Sequence, residues 1–498
     1  MKRLSAIIIG AGYGGMALAN LLARDGYRVD VYEKNSHPGG RIAATKKDGY
    51  TFDLGPSWYL MPEVFERYYN LLGKSAARRL NIVRFSPGYK VFFENHAPVY
   101  IQGDVDKDKH VFESIEPGAG KRLEHYVNTS TAAYDLALRH FLYTDRFRVR
   151  DMLHADIMRQ AWRMLGMTLV PLHRYVSRRF HDQRLHQLLE YHSVFLGASP
   201  FQAPAVYSLM SHLDYRSGVY YPRRGMMTLV DDMQRLGGEY NVSYHLDSPV
   251  ANILVRGSHA YGVKLEDGSE HRADIIISNA DLHHTETKLL ESEHQSFPER
   301  YWQKRQPGPG ALLISLGVSG ELPQLEHHNL YFVDKWRENF DDIYRNAKIP
   351  EHASLYVCNP TKTDRSLAPK GCENLFILMP IPAGVSLTAQ VQKTVVDRVI
   401  AQLAKAIDQP DLLERIATQH VFGPHEFGDN YNAWQYNAFG GESHLLRQSI
   451  LFRTPNKSRR LNNLYYVGAG TVPGIGLPMC LIGAEVVHGR ILRERAES

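Results

Sequence analysis

The feature that most constrains the fold is a glycine-rich turn near the N-terminus, inside the stretch AIIIGAGYGGMALANLL. The apolar run AIIIG (residues 6–10) predicts a buried parallel strand. A helix is predicted over residues 16–25, before Gly26, and the alternating run RVDVYEK (residues 28–34) predicts a second strand. A strand, a helix and a second strand in this order form a βαβ unit, which commits the start of the chain to an α/β fold with a parallel sheet.

The turn contains Gly10, Gly12 and Gly15 in the spacing G-x-G-x-x-G. The first glycine permits the tight turn, the second lets the backbone approach a pyrophosphate, and the third allows the helix to pack closely on the strand. Unpaired N–H groups at the helix N-terminus favour phosphate there. Glu33 stands 18 residues after Gly15, where a carboxylate accepts hydrogen bonds from ribose hydroxyls. The turn therefore predicts a dinucleotide site.

Two further stretches follow, HPGGR with Gly39, Gly40 and Arg41, and FDLGPS at residues 52–57. A second glycine pair with an arginine suits the extended pyrophosphate and ribityl chain of FAD. With these motifs the sequence resembles the FAD-dependent amine oxidase and carotenoid desaturase superfamily. The resemblance implies FAD as the cofactor, held by Gly10, Gly12, Gly15, Glu33, Lys34, Gly39, Gly40, Arg41, Gly55, Pro56, Ser57, Val250, Gly470 and Pro478.

A second glycine-rich loop, YYVGAGTVPGIGLP, lies close to the C-terminus, at residues 465–478. Its glycines do not reproduce G-x-G-x-x-G, and no second βαβ unit with a terminal acid follows. The loop therefore predicts the other end of the same FAD site, near the ribityl chain and flavin, rather than a second dinucleotide. Val472 stands where the resembling family usually has histidine, so that histidine has no catalytic role here.

The resemblance narrows to the bacterial-type phytoene desaturases and related carotenoid desaturases, and it covers nearly the whole chain. It rests on KDGYTFDLGPS, GVYYPRRGMMTLV, DRSLAPKG, FGPHEFGDNYNA, RQSILFRTPN and NLYYVGAGTVPGIGLP, in that order. It implies desaturation of a linear carotenoid precursor such as phytoene. The alternatives are the shorter 4,4'-diapophytoene (dehydrosqualene), or a non-enzymatic isoprenoid-binding protein of the same fold, like the GDP dissociation inhibitors.

The sequence identifies no catalytic side chain. Asp151 could accept a proton, although an acid at a helix start is the more ordinary interpretation. No metal site is predicted, because the adjacent pairs His283-His284 and His327-His328 are expected to point in different directions, and no HExxH or Cys/His spacing accompanies them. Three cysteines without a CxxC pair argue against a disulfide framework and favour a reducing cytoplasm.

The pattern along the chain predicts an α/β protein with a discontinuous, Rossmann-like FAD domain and an α+β substrate part. We expect the FAD domain to comprise residues 1–84, 218–290 and 457–498. Residues 85–217 are predicted to be helical and to face a membrane, and residues 291–456 to form a substrate domain of sheet plus helices. Within these parts, residues 261–281 predict a hairpin with Asp267 and Gly268 at its turn, followed by a buried strand, and a long helix is predicted over residues 389–406.

The predicted partners follow from charge and from the resemblance. A net charge of +5 is mild and does not indicate a nucleic-acid partner. Arginines crowd residues 139–184, which could be a solvated basic face or a surface for anionic lipid. An isoprenoid substrate is confined to membrane or apolar tunnel, which favours peripheral association with the inner face of the cell membrane. Electrons are expected to leave to an external acceptor, oxygen or a quinone.

Overall fold

The computed structural model describes residues 3–144, 155–449 and 452–497. Within them the strands are β1 (Ser5–Ile9), β2 (Arg28–Tyr32), β3 (Ala44–Lys47), β4 (Tyr50–Asp53), β5 (Ile82–Arg84), β6 (Tyr89–Phe93), β7 (Val99–Ile101), β8 (Tyr220–Pro222), β9 (Ser243–His245), β10 (Val250–Arg256), β11 (His259–Leu265), β12 (Glu270–Arg272), β13 (Ile275–Ser278), β14 (Gly310–Ser319), β15 (His328–Phe332), β16 (Leu355–Cys358), β17 (Cys372–Ile381), β18 (Ile416–Phe422) and β19 (Leu464–Tyr466). The α-helices are α1 (Tyr13–Arg24), α2 (Pro62–Leu71), α3 (Ala76–Arg79), α4 (Val105–Ile115), α5 (Ala119–His140), α6 (Ala155–Leu169), α7 (Leu172–Ser177), α8 (Gln183–Glu190), α9 (Met210–His212), α10 (Met227–Glu239), α11 (Leu282–Lys288), α12 (Glu299–Trp302), α13 (Trp336–Tyr344), α14 (Ala389–Ala406), α15 (Pro424–Tyr431) and α16 (Leu477–Ala496).

Five strands form a parallel sheet in the order β19-β13-β1-β2-β9. Strand β1 is central, and its partners come from the middle and the far end of the chain. The carboxyl ends of all five strands therefore meet at one edge, which is where open α/β sheets bind ligands.

The predicted βαβ opening is confirmed. Helix α1 begins three residues earlier than predicted, at Tyr13, because the glycine turn itself forms its first turn. The helix ends at Arg24, and Gly26 follows with a φ of +91°, a left-handed conformation in which glycine is unstrained. Residues 13–23 are all buried, between the sheet and the helices α10 and α16.

The predicted hairpin before β13 is also confirmed. Strands β10, β11 and β12 form an antiparallel sheet. The turn between β11 and β12 contains Gly268, with a φ of +89°. After this hairpin the chain enters β13, whose last three residues are buried beside β1.

A second, mixed sheet has seven strands in the order β18-β14-β17-β16-β15-β6-β7. Both faces of this sheet are covered by other parts of the protein, as strand β14 shows. Leu312 and Ile314 pack with helix α14, which matches the predicted helix residue for residue, while Ala311 and Leu313 face an aromatic cluster on the other side. Covering on both faces explains why residues 310–318 form a continuous buried run.

The prediction that residues 85–217 are helical is wrong for their first part. Strands β6 and β7 lie in this region and complete the seven-stranded sheet, with Lys90 opposite Asn329 in a parallel register. The run YKVFF is buried throughout, so it has neither the alternation of a half-exposed strand nor a helical period. From α4 onward the described part of the region is a helical layer on this sheet.

None of the helices in the described part of the chain is both long enough and apolar enough to cross a membrane.

Candidate functional site

A cavity of about 440 Å³ opens at the carboxyl edge of the parallel sheet. Its walls come from the loops after β1, β2, β13 and β19, from the start of β10 and of α16, and from the end of α15 with the loop that follows it. Ten of the predicted cofactor residues line it, which are Gly10, Gly12, Glu33, Lys34, Gly39, Gly40, Arg41, Pro56, Val250 and Gly470.

The glycines of the first turn are needed for close approach. A Cβ atom on Gly15 would lie 2.6 Å from the carbonyl oxygen of Gly10, and one on Gly12 would lie 2.5 Å from Asn279 Oδ1. Gly10 itself has a φ of +92°. Gly15 does not line the cavity but sets the packing of α1 on β1, which is the role predicted for it.

The N-terminus of α1 points its first amides at the cavity. The cap position is Gly12, and no side chain of the described residues accepts a hydrogen bond from the first turn. Free N–H groups and the positive end of the helix dipole at this position favour a pyrophosphate.

Glu33 lies directly after β2 and is only 5% exposed. Its Oε2 accepts a hydrogen bond of 2.7 Å from the Ala11 amide, and its Oε1 accepts one of 2.9 Å from the Asn35 amide. A carboxylate has further lone pairs, so it can still accept from a ribose hydroxyl. Lys34, next to it, donates to the carbonyl oxygen of Asp429 and so brings the end of α15 to the rim of the cavity.

The second glycine pair closes on the first turn. The Gly39 amide donates to the Ala11 carbonyl at 2.8 Å, and a Cβ on Gly40 would lie 3.2 Å from the Gly12 Cα. Both residues have positive φ, +114° and +58°. This contact explains why a pair of glycines is required there.

Arg41 lines the cavity and is held by backbone carbonyls. Its Nε donates to Ala438 at 3.0 Å and its Nη2 to Asn437 at 3.3 Å. Burial lowers the pKa of Arg41, while the carboxylate of Asp281 opposes that shift. The guanidinium thus supplies positive charge at the site in a fixed orientation.

Four predicted residues lie outside the cavity lining, which are Gly15, Gly55, Ser57 and Pro478. Gly55 is required for another reason, because a Cβ there would lie 1.9 Å from the carbonyl oxygen of Arg41. Ser57 is buried. At the start of α16 the lining residues are Leu477 and Cys480 instead of Pro478.

The structure adds lining residues that the sequence did not single out, among them Asn279, Asp281, Tyr431 and Gly440. Asn279 and Asp281 follow β13, so the position of β13 in a parallel sheet was the signal that could have found them. Tyr431 ends α15, inside the motif FGPHEFGDNYNA, and Gly440 lies in the loop after it; both belong to the predicted substrate domain, and no motif assigned either of them to the cofactor.

The C-terminal loop, residues 465–478, accepts hydrogen bonds from the guanidinium of Arg453, a side chain that is 4% exposed. Its Nη2 donates to Ala469 at 2.7 Å and its Nε to Thr471 at 3.1 Å. Val472 does not line the cavity, and its carbonyl accepts from Asn456 Nδ2 at 2.9 Å. The loop is therefore shaped by backbone contacts, without an imidazole at that position.

The predicted proton acceptor and the histidine pairs have different outcomes. Asp151 lies outside the described residues. His284 lines the cavity, and burial lowers its pKa to about 4, whereas His283 Nε2 is 2.9 Å from Glu299 at the surface.

The expectation that His327 and His328 point apart is wrong. Their ring centroids are 4.4 Å apart, because only the second residue belongs to β15.

The residues present fit a flavin dinucleotide. Asn279 Oδ1 and Tyr13 Oη are buried at the cavity and have no hydrogen-bond partner among the described residues, so each can pair with a bound polar group. Glu33 and Val250 line the same cavity as Gly470 and two residues at the start of α16, Leu477 and Cys480. The fold and this cavity together define an FAD-dependent oxidoreductase.

Comparisons with known proteins agree with this class. The family described as flavin containing amine oxidoreductase matches residues 13–484. The chain is 38% identical to a carotenoid 3,4-desaturase of Haloarcula japonica, covering 96% of each chain, and 32% identical to a zeta-carotene-forming phytoene desaturase of Myxococcus xanthus, covering 98% of this chain and 93% of that one. Among solved structures, putrescine oxidase bound to putrescine matches with a TM-score of 0.65 at 15% identity, covering 99% of each chain.

The chain therefore belongs to the flavin containing amine oxidoreductase family and, within it, to the carotenoid desaturases. The likeness to putrescine oxidase extends to the fold alone. A Rab GDP dissociation inhibitor from Plasmodium falciparum has the same fold, with a TM-score of 0.56 at 12% identity.

Proposed function

We propose that this protein is an FAD-dependent desaturase that removes two hydrogens from adjacent carbons of a linear carotenoid precursor such as phytoene and extends its conjugation. The observation that carries the proposal is a complete dinucleotide cavity in a chain that matches a carotenoid 3,4-desaturase over 96% of its length. A C30 precursor, 4,4'-diapophytoene, is the alternative substrate. When bound, FAD supplies a hydride acceptor.

The chain's own residues position the reactants. Pro56 lines the cofactor cavity, and Trp58, two residues on, packs into the aromatic cluster between the seven-stranded sheet and the helical layer, 5.6 Å from Phe195. A hydrocarbon gains about 0.8 kcal/mol for each CH₂ transferred out of water. An aromatic wall next to the flavin end of the cavity therefore suits a long polyene and also excludes water.

We also propose that the chain forms two domains. The FAD domain would comprise residues 1–84, 218–290 and 457–498. The substrate domain would comprise residues 291–456, and its strands share a sheet with β6 and β7. Lining residues from α15 and the following loop support the view that the substrate domain closes one side of the cofactor site.

Peripheral membrane association is proposed from helix α6. Met158, Leu165 and Leu169 are 55%, 49% and 64% exposed. Their spacing of seven and four residues places them on one face of the helix, and Arg159 stands next to that face. Such a face would let the enzyme take its apolar substrate from the lipid. The external electron acceptor, oxygen or a quinone, remains part of the proposal.

The test is co-expression with a phytoene source and, separately, with a 4,4'-diapophytoene source, followed by chromatography of the pigments. We expect coloured polyenes with longer conjugation from the C40 precursor, together with a flavin spectrum in the purified protein. Unchanged phytoene with bound flavin would contradict the substrate. A colourless protein that takes up no FAD on reconstitution would contradict the enzyme class and favour an isoprenoid-binding protein.

A further inference from the structure

A buried cluster of His327, His328 and Cys358 lies between β15, β16 and the segment that follows β4. One ring nitrogen of each histidine and the sulfur of Cys358 all lie within 4.8 Å of one another. The geometry arises from strand pairing, because His328 is directly opposite Cys358 in the antiparallel ladder of β15 and β16. The three residues are 4%, 0% and 2% exposed.

The outer nitrogens of both rings are already engaged. His327 Nδ1 is 2.6 Å from Thr363 Oγ1, and His328 Nδ1 is 2.7 Å from Tyr356 Oη. When Nδ1–H donates to such an oxygen, Nε2 carries the lone pair. Oxygen partners on the second ring nitrogen are the arrangement that orients metal-bound histidines.

The inner nitrogens have nothing to bind. Nε2 of His327 and Nε2 of His328 are both buried and have no hydrogen-bond partner in the described part of the chain. Buried polar atoms in native proteins are nearly always paired, with protein, water or an ion. Two such atoms beside one thiol therefore indicate a missing ligand.

The surroundings keep both imidazoles neutral and place a carboxylate nearby. Burial lowers the pKa of His327 to about 3 and that of His328 well below its usual value, so both stay neutral, which is the form that ligates metal. Asp53 is close enough for its carboxylate to raise the pKa of the Cys358 thiol, after burial itself. Asp53 Oδ2 accepts a hydrogen bond of 2.8 Å from Tyr221 Oη, and the centroid of the Tyr221 ring lies 4.4 Å from that of the His327 ring.

We propose that His327 Nε2, His328 Nε2 and the Cys358 thiolate bind one Zn²⁺ ion. Two imidazoles and a thiolate suit Zn²⁺, whose fourth tetrahedral position would hold a water. The thiol loses its proton to solvent on binding. The ion ties β15 and β16 together beneath Trp58, whose ring is 4.9 Å from the ring of His328, and so stiffens the aromatic wall behind the Gly55–Ser57 stretch.

The test uses the full-length flavoprotein without a histidine tag, purified without chelators from zinc-supplemented cells. Metal content by plasma mass spectrometry is expected to be about one zinc per chain in the wild type. Cys358→Ser is expected to lose most of it, and Cys372→Ser, a half-exposed cysteine outside the cluster, to keep it. Bound FAD reports that each variant has folded.

A second measurement does not depend on any variant. Cobalt-substituted wild type is expected to show a thiolate-to-cobalt charge-transfer band and the visible bands of tetrahedral Co²⁺. Wild-type protein with less than about one zinc per ten chains and no thiolate band would overturn the proposal, as would a different metal in the site. Full zinc retention in a folded Cys358→Ser variant would overturn the assignment of ligands.

Discussion

At the scale of single residues, the first turn should tolerate no added methyl at Gly15. Gly15→Ala places a Cβ 2.6 Å from the Gly10 carbonyl oxygen, so helix α1 must move off β1. Overpacking of this kind costs about 1–3 kcal/mol, which corresponds to a loss of FAD affinity of roughly 5- to 140-fold if the cost falls on the bound state. Fluorescence titration of the apoprotein with FAD measures it.

A matched control is Gly238→Ala, also a helical glycine, with no atom within 4 Å of the added Cβ. Its FAD affinity should equal that of the wild type, and its stability should rise slightly because alanine is the better helix former. Equal affinities for both variants would show that the Gly15 contact does not shape the site.

Glu33 should contribute charge as well as shape. Glu33→Gln keeps the size of the side chain but removes the negative charge that accepts from the Ala11 amide and, we expect, from a ribose hydroxyl. Hydrogen bonds to a charged group are worth about 1.5–3 kcal/mol, so FAD affinity should fall by about tenfold to a hundredfold. Calorimetric titration of the apoprotein gives the affinity.

Asp30 provides the comparison for Glu33, since it lies on the same strand but pairs with Arg28 and His245 outside the cavity. Asp30→Asn should leave FAD affinity within about twofold of wild type. An equal loss in both variants would mean that strand β2 as a whole, rather than the Glu33 carboxylate, is responsible.

The sequence predicts residues of the site where a motif is local. Gly10, Gly12 and Glu33 belong to one βαβ unit whose spacing alone defines their roles. Asn279 and Tyr431 were missed because they reach the cavity only through strand order and the packing of α15. Gly55 was predicted to contact the cofactor but does not line the cavity, and a glycine is needed there for a steric reason that only the 1.9 Å approach of a Cβ to the Arg41 carbonyl oxygen reveals.

At the scale of elements, helix α16 should respond to acid through Glu494. Burial raises the pKa of this carboxyl, but hydrogen bonds from Lys457, Tyr465 and Arg490 outweigh that effect and lower it to about 2, from an ordinary 4.5. A lowered folded-state pKa adds stability that is fully present above pH 4.5 and is lost as the pH falls towards 2.

The variant Glu494→Gln should therefore be less stable than wild type at neutral pH, and the difference should shrink below about pH 4.5. Denaturant unfolding of the holoprotein from neutral pH down to about pH 3 measures the difference. Glu497→Gln, at the exposed residue directly after the same helix, is the control for loss of a surface carboxylate and should leave the stability close to that of the wild type. A gap that does not change with pH would show that the three contacts do not lower the pKa.

Helix α6 makes a separate prediction about lipid. Leu165→Glu and Leu169→Glu together should reduce sedimentation with vesicles that contain anionic lipid, because both side chains lie on the exposed apolar face. Leu413→Glu is the matched control, since Leu413 is also 49% exposed but lies after α14. Unchanged sedimentation of the double variant would contradict the membrane role of α6.

Elements were predicted well where their residues follow a period. Helix α14 has the predicted bounds because its apolar residues repeat at helical spacing and Thr388 caps it, accepting from the Val391 amide at 3.3 Å. Strand β6 was missed because it is buried on both faces, and its run of aromatic and aliphatic residues has no alternation. Its partner β15 lies more than two hundred residues away, beyond any local pattern.

At the scale of the whole molecule, FAD should stabilise the chain against unfolding, because the cavity joins segments from the start, middle and end of the sequence. A ligand at a hundred times its dissociation constant adds about 2.7 kcal/mol. Thermal unfolding of the apoprotein with increasing FAD should therefore show a midpoint that rises with concentration.

The comparison ligand is FMN, which lacks the adenosine half. Glu33 and Val250 line the cavity, and we expect them to contact the adenosine, so FMN at the same concentration should raise the midpoint much less. An equal rise with FMN would mean that the βαβ unit does not hold the dinucleotide.

The position of β1 also has a consequence for biosynthesis. This strand is synthesised before its sheet partners β2 and β13, and β13 in turn pairs with β19, at residues 464–466. The sheet edge that lines the cavity is therefore incomplete until β19 has been synthesised. We expect a nascent or truncated chain that lacks β19 to retain no flavin, so the yellow colour of the protein would report that translation has passed this strand as well as that the chain has folded.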